Sequence, residues 1–350
     1  MNHTDLHEIL SHFDIPSTAE TTIEPFGNGH INRTYLVGTE PKTILQFVNN
    51  AVFPKPELVM ENIAALTAYL AERIEAEGGD PRRETLMLVP TKDGRHSVEA
   101  DGSLYRLFYY IDAHSIELAN DPSKLYLAAK TFGRFLKLLE RFPAETLHEP
   151  IARFHDTKNR YDKFVEAVRA DVVGRASEVE REIEFVTARA ADCSVVVDAI
   201  ASGEIPLRVT HNDTKLNNFL FDDDGRCVAL IDLDTVMPGS LLYDYGDALR
   251  FGSSSAKEDE TDLSKVYCRT EYVDAFTRGF LEEFGEVLSE RERELLPFSI
   301  KLLTLECGIR FLTDYLSGDT YFSIAHPRHN LDRARNQFKL VYDIEQKYNV

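Results

Sequence analysis

Strand-like and helix-like patterning are segregated along this chain, and the segregation narrows the folds open to it. Residues 21 to 48 read as strand, turn, strand, turn, strand: TTIEPF, the small and polar GNGHIN, RTYLV, GTEPK and TILQFV. A helix is expected next, because Val59, Ile63, Leu66, Leu70 and Ile74 keep a 3.6-residue period behind Pro56 until GGDP at 78 to 81 breaks it. Two further strand-like runs, 86 to 90 and 104 to 111, complete a small antiparallel sheet with one helix against it. Residues 1–112 are therefore expected to form one lobe.

Residues 113–350 are expected to form a second, mainly helical lobe. Asp121-Pro122 supplies an N-cap and a first-turn proline for an apolar stripe of Leu125, Ala128, Phe132, Phe135, Leu139 and Phe142. Two charged amphipathic helices are expected within 158 to 203. Another is expected from 295 to 316, with Gly318 placed to stop it. One β-element interrupts this lobe: 207 to 210, 219 to 222 and 226 to 231 look like short strands, the last two joined by the turn Asp222-Asp223-Asp224-Gly225. The pattern implies an α+β fold of two lobes, and 350 residues exceed the ~250–300 at which single cores stop growing.

Charge and cysteine placement exclude several function classes. A net charge of −20 with no Lys/Arg-rich tract would repel a nucleic acid backbone, so no nucleic acid partner is expected. Cys193, Cys227, Cys268 and Cys307 are widely spaced, without a C-x-x-C pair, and read as reduced core thiols. No run approaches the ~18 apolar residues of a membrane helix, and the opening MNHTDLHEILSHFDIP has no apolar signal region. A cytoplasmic protein with no membrane partner is the expectation.

The residues that carry chemistry lie around the β-element. His211 opens HNDTKLNN, Asp213 is followed five positions later by Asn218, and a hairpin leads on to Ile231-Asp232-Leu233-Asp234. This is the H-x-D-x-x-x-x-N spacing of a phosphoryl-transfer loop, in which a carboxylate orients the attacking hydroxyl and oxygen ligands hold magnesium. Asp213 is the expected base, with Asn218 and Asp232 the expected Mg2+ ligands. A solvated acidic patch is the bland alternative, but apolar strand-like flanks argue against it.

The stretches VTHNDTKLNNFLFD and IDLDTVMPGSLLYDYGDALRFG resemble the bacterial N-acetylhexosamine 1-kinases, a branch of the aminoglycoside phosphotransferase-like kinases, whose fold is bilobal and protein-kinase-like. The likeness extends over FGNGHINRTYLV, ARFHDTKNR, LPFSIKLLTLECGIRFLTDYLSGDTYF and HNLDRARNQFKLV. It implies an enzyme that binds ATP between its lobes and transfers the γ-phosphate to the anomeric hydroxyl of a free N-acetylhexosamine, GlcNAc or GalNAc. On this resemblance Asp213 is catalytic, Asn218 and Asp232 hold Mg2+, and His211 supports the loop. Phe251, Arg310 and Tyr321 are implied at the sugar. On spacing alone, Arg310 would instead form an ion-pair ladder with Glu306 and Asp314, four residues to either side.

One departure from the wider family stands out. Gln46 in TILQFV occupies the position of the lysine that anchors the α- and β-phosphates. Gly27, Gly29 and His30 in the turn 26 to 32, together with Gln46, are expected at the nucleotide's phosphates, and Lys215 is expected to add positive charge. Asn32 is expected at phosphate or sugar. Adenine is expected near 109 to 112, beside Tyr110. Two alternatives stay open at this point: a related kinase for a cationic acceptor such as an aminoglycoside or choline, and a pseudokinase binding module suggested by the missing lysine.

Overall fold

In the computed structural model, residues 5–27, 32–117, 119 and 121–350 are described. They divide into two compact units. The first comprises residues 1–116, 134–152 and 217–238, and the second 117–133, 153–216 and 239–350. In the first unit, two later segments, 134–152 and 217–238, join the N-terminal one.

The first unit is built on a five-stranded antiparallel sheet, β1 (Ile23–Pro25), β2 (Arg33–Val37), β3 (Thr43–Val48), β4 (Val98–Ala100) and β5 (Ser103–Tyr109), in the order β1-β2-β3-β5-β4. Side chains alternate across this sheet. Val37, Leu45, Tyr105 and Leu107 therefore turn into a core with Ile9, Leu10 and Phe13, the first two carried by helix α1 (Leu6–Ser11). Gln46 and Arg106 pair across β3 and β5. Helix α2 (Pro56–Ala76) starts at the expected proline and buries Val59, Ile63, Leu66, Leu70 and Ile74. It is followed by the short helix α3 (Pro81–Glu84). The run 86 to 90 is not a regular strand, although the Val89 N–H donates to Leu107 O and Leu88 bridges Phe108. β4 takes the edge place instead, turned by Asp101-Gly102, both at positive φ as a tight hairpin requires.

The later segments add β6 (His114–Ser115), β8 (Phe219–Phe221) and β9 (Cys227–Leu230) as a three-stranded sheet, with the turn at 222 to 225 as expected.

Helices make up most of the second unit: α5 (Thr157–Ala170), α6 (Glu180–Thr187), α7 (Val195–Ser202), α8 (Leu241–Gly252), α9 (Thr270–Phe284), α10 (Glu290–Leu316) and α11 (His329–Tyr348). Strand β7 (Arg208–Thr210) leads into the segment 211 to 218. α4 (Pro122–Leu138) begins in this unit, where the Asp121 carboxylate accepts the Ser123 N–H. α10 packs against α8, α11 and α5. At Gly246 of α8 an added Cβ would lie 2.3 Å from the Ser299 carbonyl, so the α8–α10 approach requires glycine. α10 starts five residues earlier than its apolar period suggests. The reason is a capping box between Ser289 and Glu292, which starts the helix ahead of Pro297.

All four cysteines are free, and burial pushes the Cys193 and Cys307 thiols up to about 12. Among the described residues no helix is long and apolar enough to cross a membrane.

Candidate active site

In the second unit, β7 delivers the chain to His211, which is fully buried. Asn212 follows at φ 65°, a left-handed turn that asparagine tolerates. One carboxylate holds this turn from beneath: Asp244 of α8 accepts the His211 N–H at 2.8 Å through one oxygen and the Asn212 N–H at 2.6 Å through the other. Thr214 Oγ1 donates to the Asp244 carbonyl at 2.7 Å. Burial pushes the Asp244 carboxyl up to about 7 against these two N–H groups. His211 Nδ1 accepts the Asp213 N–H, which fixes the ring's orientation.

Asp213 is partly exposed, and Lys215 Nζ lies 2.6 Å from its Oδ1. Burial works against the Lys215 ammonium. Asp213 and Asp247 outweigh it and raise the lysine above its ordinary range. Helix α8 thus serves the loop twice, with Asp244 at its backbone and Asp247 at its lysine.

In the first unit, the β8–β9 hairpin pairs Phe219 with Leu230, and the Ile231 N–H donates to the Asn218 carbonyl at 2.9 Å. That register brings Asp232 to within one residue of Asn218 across the hairpin. Asp232 takes φ 64° and opens a single 3-10 turn, 233 to 235, so the chain leaves the strand there. The donor pair is an amide and a carboxylate, hard ligands that fit magnesium. Among the described residues no cluster of three or more His, Cys, Asp or Glu has metal-binding geometry. A two-ligand site completed by phosphate oxygens and waters needs none.

Gln46 is held by its neighbours: its amide donates to Thr34 Oγ1 at 3.2 Å, and its oxygen accepts Arg106 Nε and Nη2 at 3.0 and 2.8 Å. Asn32 donates to Asp234 Oδ2 at 2.6 Å and accepts the Asn49 N–H at 3.1 Å. Tyr110 stands edge-on to Phe26, with ring centroids 5.9 Å apart, next to Gly27 at φ 75°. Burial, then the charge of Asp112, pushes the Tyr110 phenol up. Gly29 and His30 lie outside the described residues.

The implied acceptor residues belong to the second unit. Phe251 is half-buried near the end of α8. Arg310 does not enter the ladder that spacing favours. Glu306 is instead paired with His155 Nδ1 at 3.1 Å, both nearly fully buried. Asp314 is taken by four N–H donors: Thr320, Tyr321 and Phe322 of the backbone and Asn330 Nδ2, all at 2.8–2.9 Å. The Arg310 guanidinium lies among rings, 6.0 Å from Phe154, 5.9 Å from Tyr321 and 5.5 Å from Phe322.

Burial opposes ionisation of Glu306, but His155, Arg310 and Arg160 outweigh it and hold the carboxyl below its usual range. Nε2 of His155 and Nε of Arg160 are buried without a hydrogen-bond partner. Sequence reasoning did not single out Arg106, His155, Arg160 or Asp244, and it gave Glu306 only as a ladder partner of Arg310. Only one signal was available for them: charged residues set inside apolar runs, as Arg106 is in SLYRLFY.

A family model described as the phosphotransferase enzyme family, APH, matches residues 22–286. Solved structures share the fold. An aminoglycoside phosphotransferase from Alicyclobacillus acidocaldarius is 11% identical with a TM-score of 0.62, covering 100% of this chain and 98% of that one. Spectinomycin phosphotransferase in complex with ADP and spectinomycin is 12% identical at a TM-score of 0.59, covering 98% and 97%. The GDP complex of an aminoglycoside 2'-phosphotransferase is 16% identical at 0.59, covering 96% and 99%. The α+β architecture, an antiparallel sheet in the N-terminal region and helices in the C-terminal region, is that of these kinase-like neighbours.

Proposed function

The chain belongs to the phosphotransferase enzyme family APH, and from that premise we propose that it is an ATP-dependent kinase phosphorylating the anomeric hydroxyl of a free N-acetylhexosamine. The observation that carries the acceptor assignment is the cluster around Arg310. It offers ring faces from Phe154, Tyr321 and Phe322, two arginines, and buried nitrogens of His155 and Arg160 that lack partners. A neutral sugar needs an apolar face and a few fixed donors. A cationic acceptor needs free carboxylates or an aromatic cage. Here Glu306 is already engaged by His155 and Asp314 is consumed by four N–H groups, while Arg160 and Arg310 would repel a cation.

In the proposed reaction Asp213 accepts a hydrogen bond from the sugar 1-hydroxyl, aligns its oxygen for attack, and takes the proton as that oxygen bonds to the γ-phosphorus of ATP and the bond from that phosphorus to the bridging oxygen breaks, releasing ADP. Lys215 holds the Asp213 carboxylate through its 2.6 Å ion pair and adds positive charge at the loop. Asn218 and Asp232 are the residues that would hold magnesium, whose charge offsets negative charge developing on the transferring phosphoryl group. Their pairing through the hairpin weighs against a pseudokinase.

The test is magnesium-dependent ADP release with N-acetylglucosamine, N-acetylgalactosamine, glucose, galactose, choline and kanamycin. Turnover with the N-acetylhexosamines alone is expected, with phosphate on O1. Turnover only with choline or kanamycin would overturn the acceptor, and none with any would overturn the assignment.

A further inference from the structure

Arg106 is 1% exposed, yet it carries a full charge inside the sheet of the first unit. A buried guanidinium is costly unless its partners are well placed. Two of its nitrogens converge on Gln46 Oε1. The third, Nη1, lies 2.6 Å from Asp234 Oδ1 but is not aligned along an N–H, so the two atoms attract as charges and neither has a hydrogen-bond partner. Asp234 is two residues beyond Asp232, on the same single turn, and Asn32 holds its other oxygen. From α2, Asn62 Nδ2 reaches the Val236 carbonyl at 2.9 Å and fixes the far side of that turn.

This arrangement answers the missing lysine. Position 46 on β3 holds a neutral amide, and the cation stands directly across the ladder on β5, since Gln46 and Arg106 are register partners. Cross-strand partners point to the same face of a sheet. A charge moved from β3 to β5 therefore stays on the face where kinase-type phosphotransferases carry their phosphate-anchoring lysine. The third guanidinium nitrogen is directed at Asp234, so the cation on β5 ties position 46 to the turn that carries Asp232.

We propose that Arg106 stands in for the strand-β3 lysine: a positioning residue that supplies the buried positive charge for the nucleotide's phosphates and sets the Asp232 turn through Asp234. The inference rests on the nucleotide part of the function proposed above.

It is tested by calorimetric titration of Mg·ADP and of adenosine into wild type, Arg106→Gln, and the double variant Gln46→Lys/Arg106→Gln, which returns the cation to β3. Arg106→Gln is expected to weaken Mg·ADP at least tenfold and adenosine by less than twofold, with the double variant recovering Mg·ADP to within about threefold of wild type. Arg106→Lys, which keeps the charge but shortens its reach, replaces the glutamine variant should that one not fold, and is expected to weaken Mg·ADP alone. Unchanged Mg·ADP affinity in either single variant, equal losses for Mg·ADP and adenosine, or no recovery in a folded double variant would each overturn the role of Arg106. Failure of the wild type to bind Mg·ADP or adenosine would instead overturn the nucleotide reading itself.

Discussion

Replacing Asp314 by Asn isolates the geometry that supports Tyr321. The carboxylate receives four N–H donors, Thr320 and Tyr321 on Oδ1 and Phe322 and Asn330 Nδ2 on Oδ2. An asparagine keeps one acceptor oxygen and turns an NH2 group towards two donors. Hydrogen bonds to a charged acceptor contribute ~1.5–3 kcal/mol each. Two are lost, and exposed Thr320 and Tyr321 can move to water, so the lower bound applies: about 3 kcal/mol. For 350 residues the unfolding entropy is about 0.7 kcal/mol per kelvin, so Tm should fall by about 4 °C.

The same change frees the segment that places Tyr321 and Phe322 beside Arg310. With N-acetylglucosamine as acceptor, its KM should rise about tenfold or more, with kcat and the KM for ATP within about threefold of wild type. Circular-dichroism melting and coupled ADP-release kinetics measure both effects. An unchanged Tm together with an unchanged acceptor KM would refute the claim that Asp314 organises this segment.

Asp213→Asn should lower kcat by ~10²–10⁴-fold while Mg·ADP affinity by calorimetry stays within about threefold, and full activity in this variant would remove the proposed base. Lys215→Ala should lower kcat/KM at least tenfold without changing Tm by more than about 2 °C; wild-type kinetics would exclude a role for its charge. Asp244 gives a pH test with a definite sign. Its carboxyl is raised to about 7 in the fold from an ordinary value near ~3.9, so the folded chain holds the proton that the unfolded chain has released. Wild-type stability relative to Asp244→Asn should therefore fall as pH rises from about 4 to about 7, by up to ~1.4 kcal/mol per unit, and level off above. Urea titrations at pH 5, 6, 7 and 8 measure the slope, and parallel curves would contradict it.

Periodicity made the long elements legible. α2 and α4 announce themselves by proline at the first turn and an apolar stripe, and the β8–β9 hairpin by Asp222 to Gly225. Asp101-Gly102 is an equally clear turn signal, but the flanking Val98–Ala100 is only three residues long, too short for its alternation to stand out beside the longer apolar run 86 to 90. The second of the two helices expected within 158 to 203 is two, α6 and α7, joined by a short 3-10 turn that no single residue type marks.

At the site, the spacing from His211 to Asn218 was visible because one loop carries it. What holds that loop was not: Asp244 lies 31 residues beyond Asp213 and reads locally as one acidic residue in an amphipathic helix. Arg310 shows the reverse case. Its i±4 neighbours suggested a ladder, and tertiary partners, His155 for Glu306 and the 320 to 322 backbone for Asp314, took both carboxylates away.

The first compact unit is assembled from three separated stretches, the last of which ends at residue 238. A growing chain that has emerged through residue 116 already carries the five-stranded sheet, but neither Asp234, the charge partner of Arg106, nor Asp222, which pairs with Arg83. Another 122 residues, 117 to 238, must follow. At ~5–20 residues per second of synthesis, that leaves the Arg106 guanidinium without its counter-charge for about 6–24 s. Completion of the sheet's buried charge is thus timed by translation, and a truncation before residue 234 should leave the N-terminal sheet with an uncompensated cation rather than an independent folding unit.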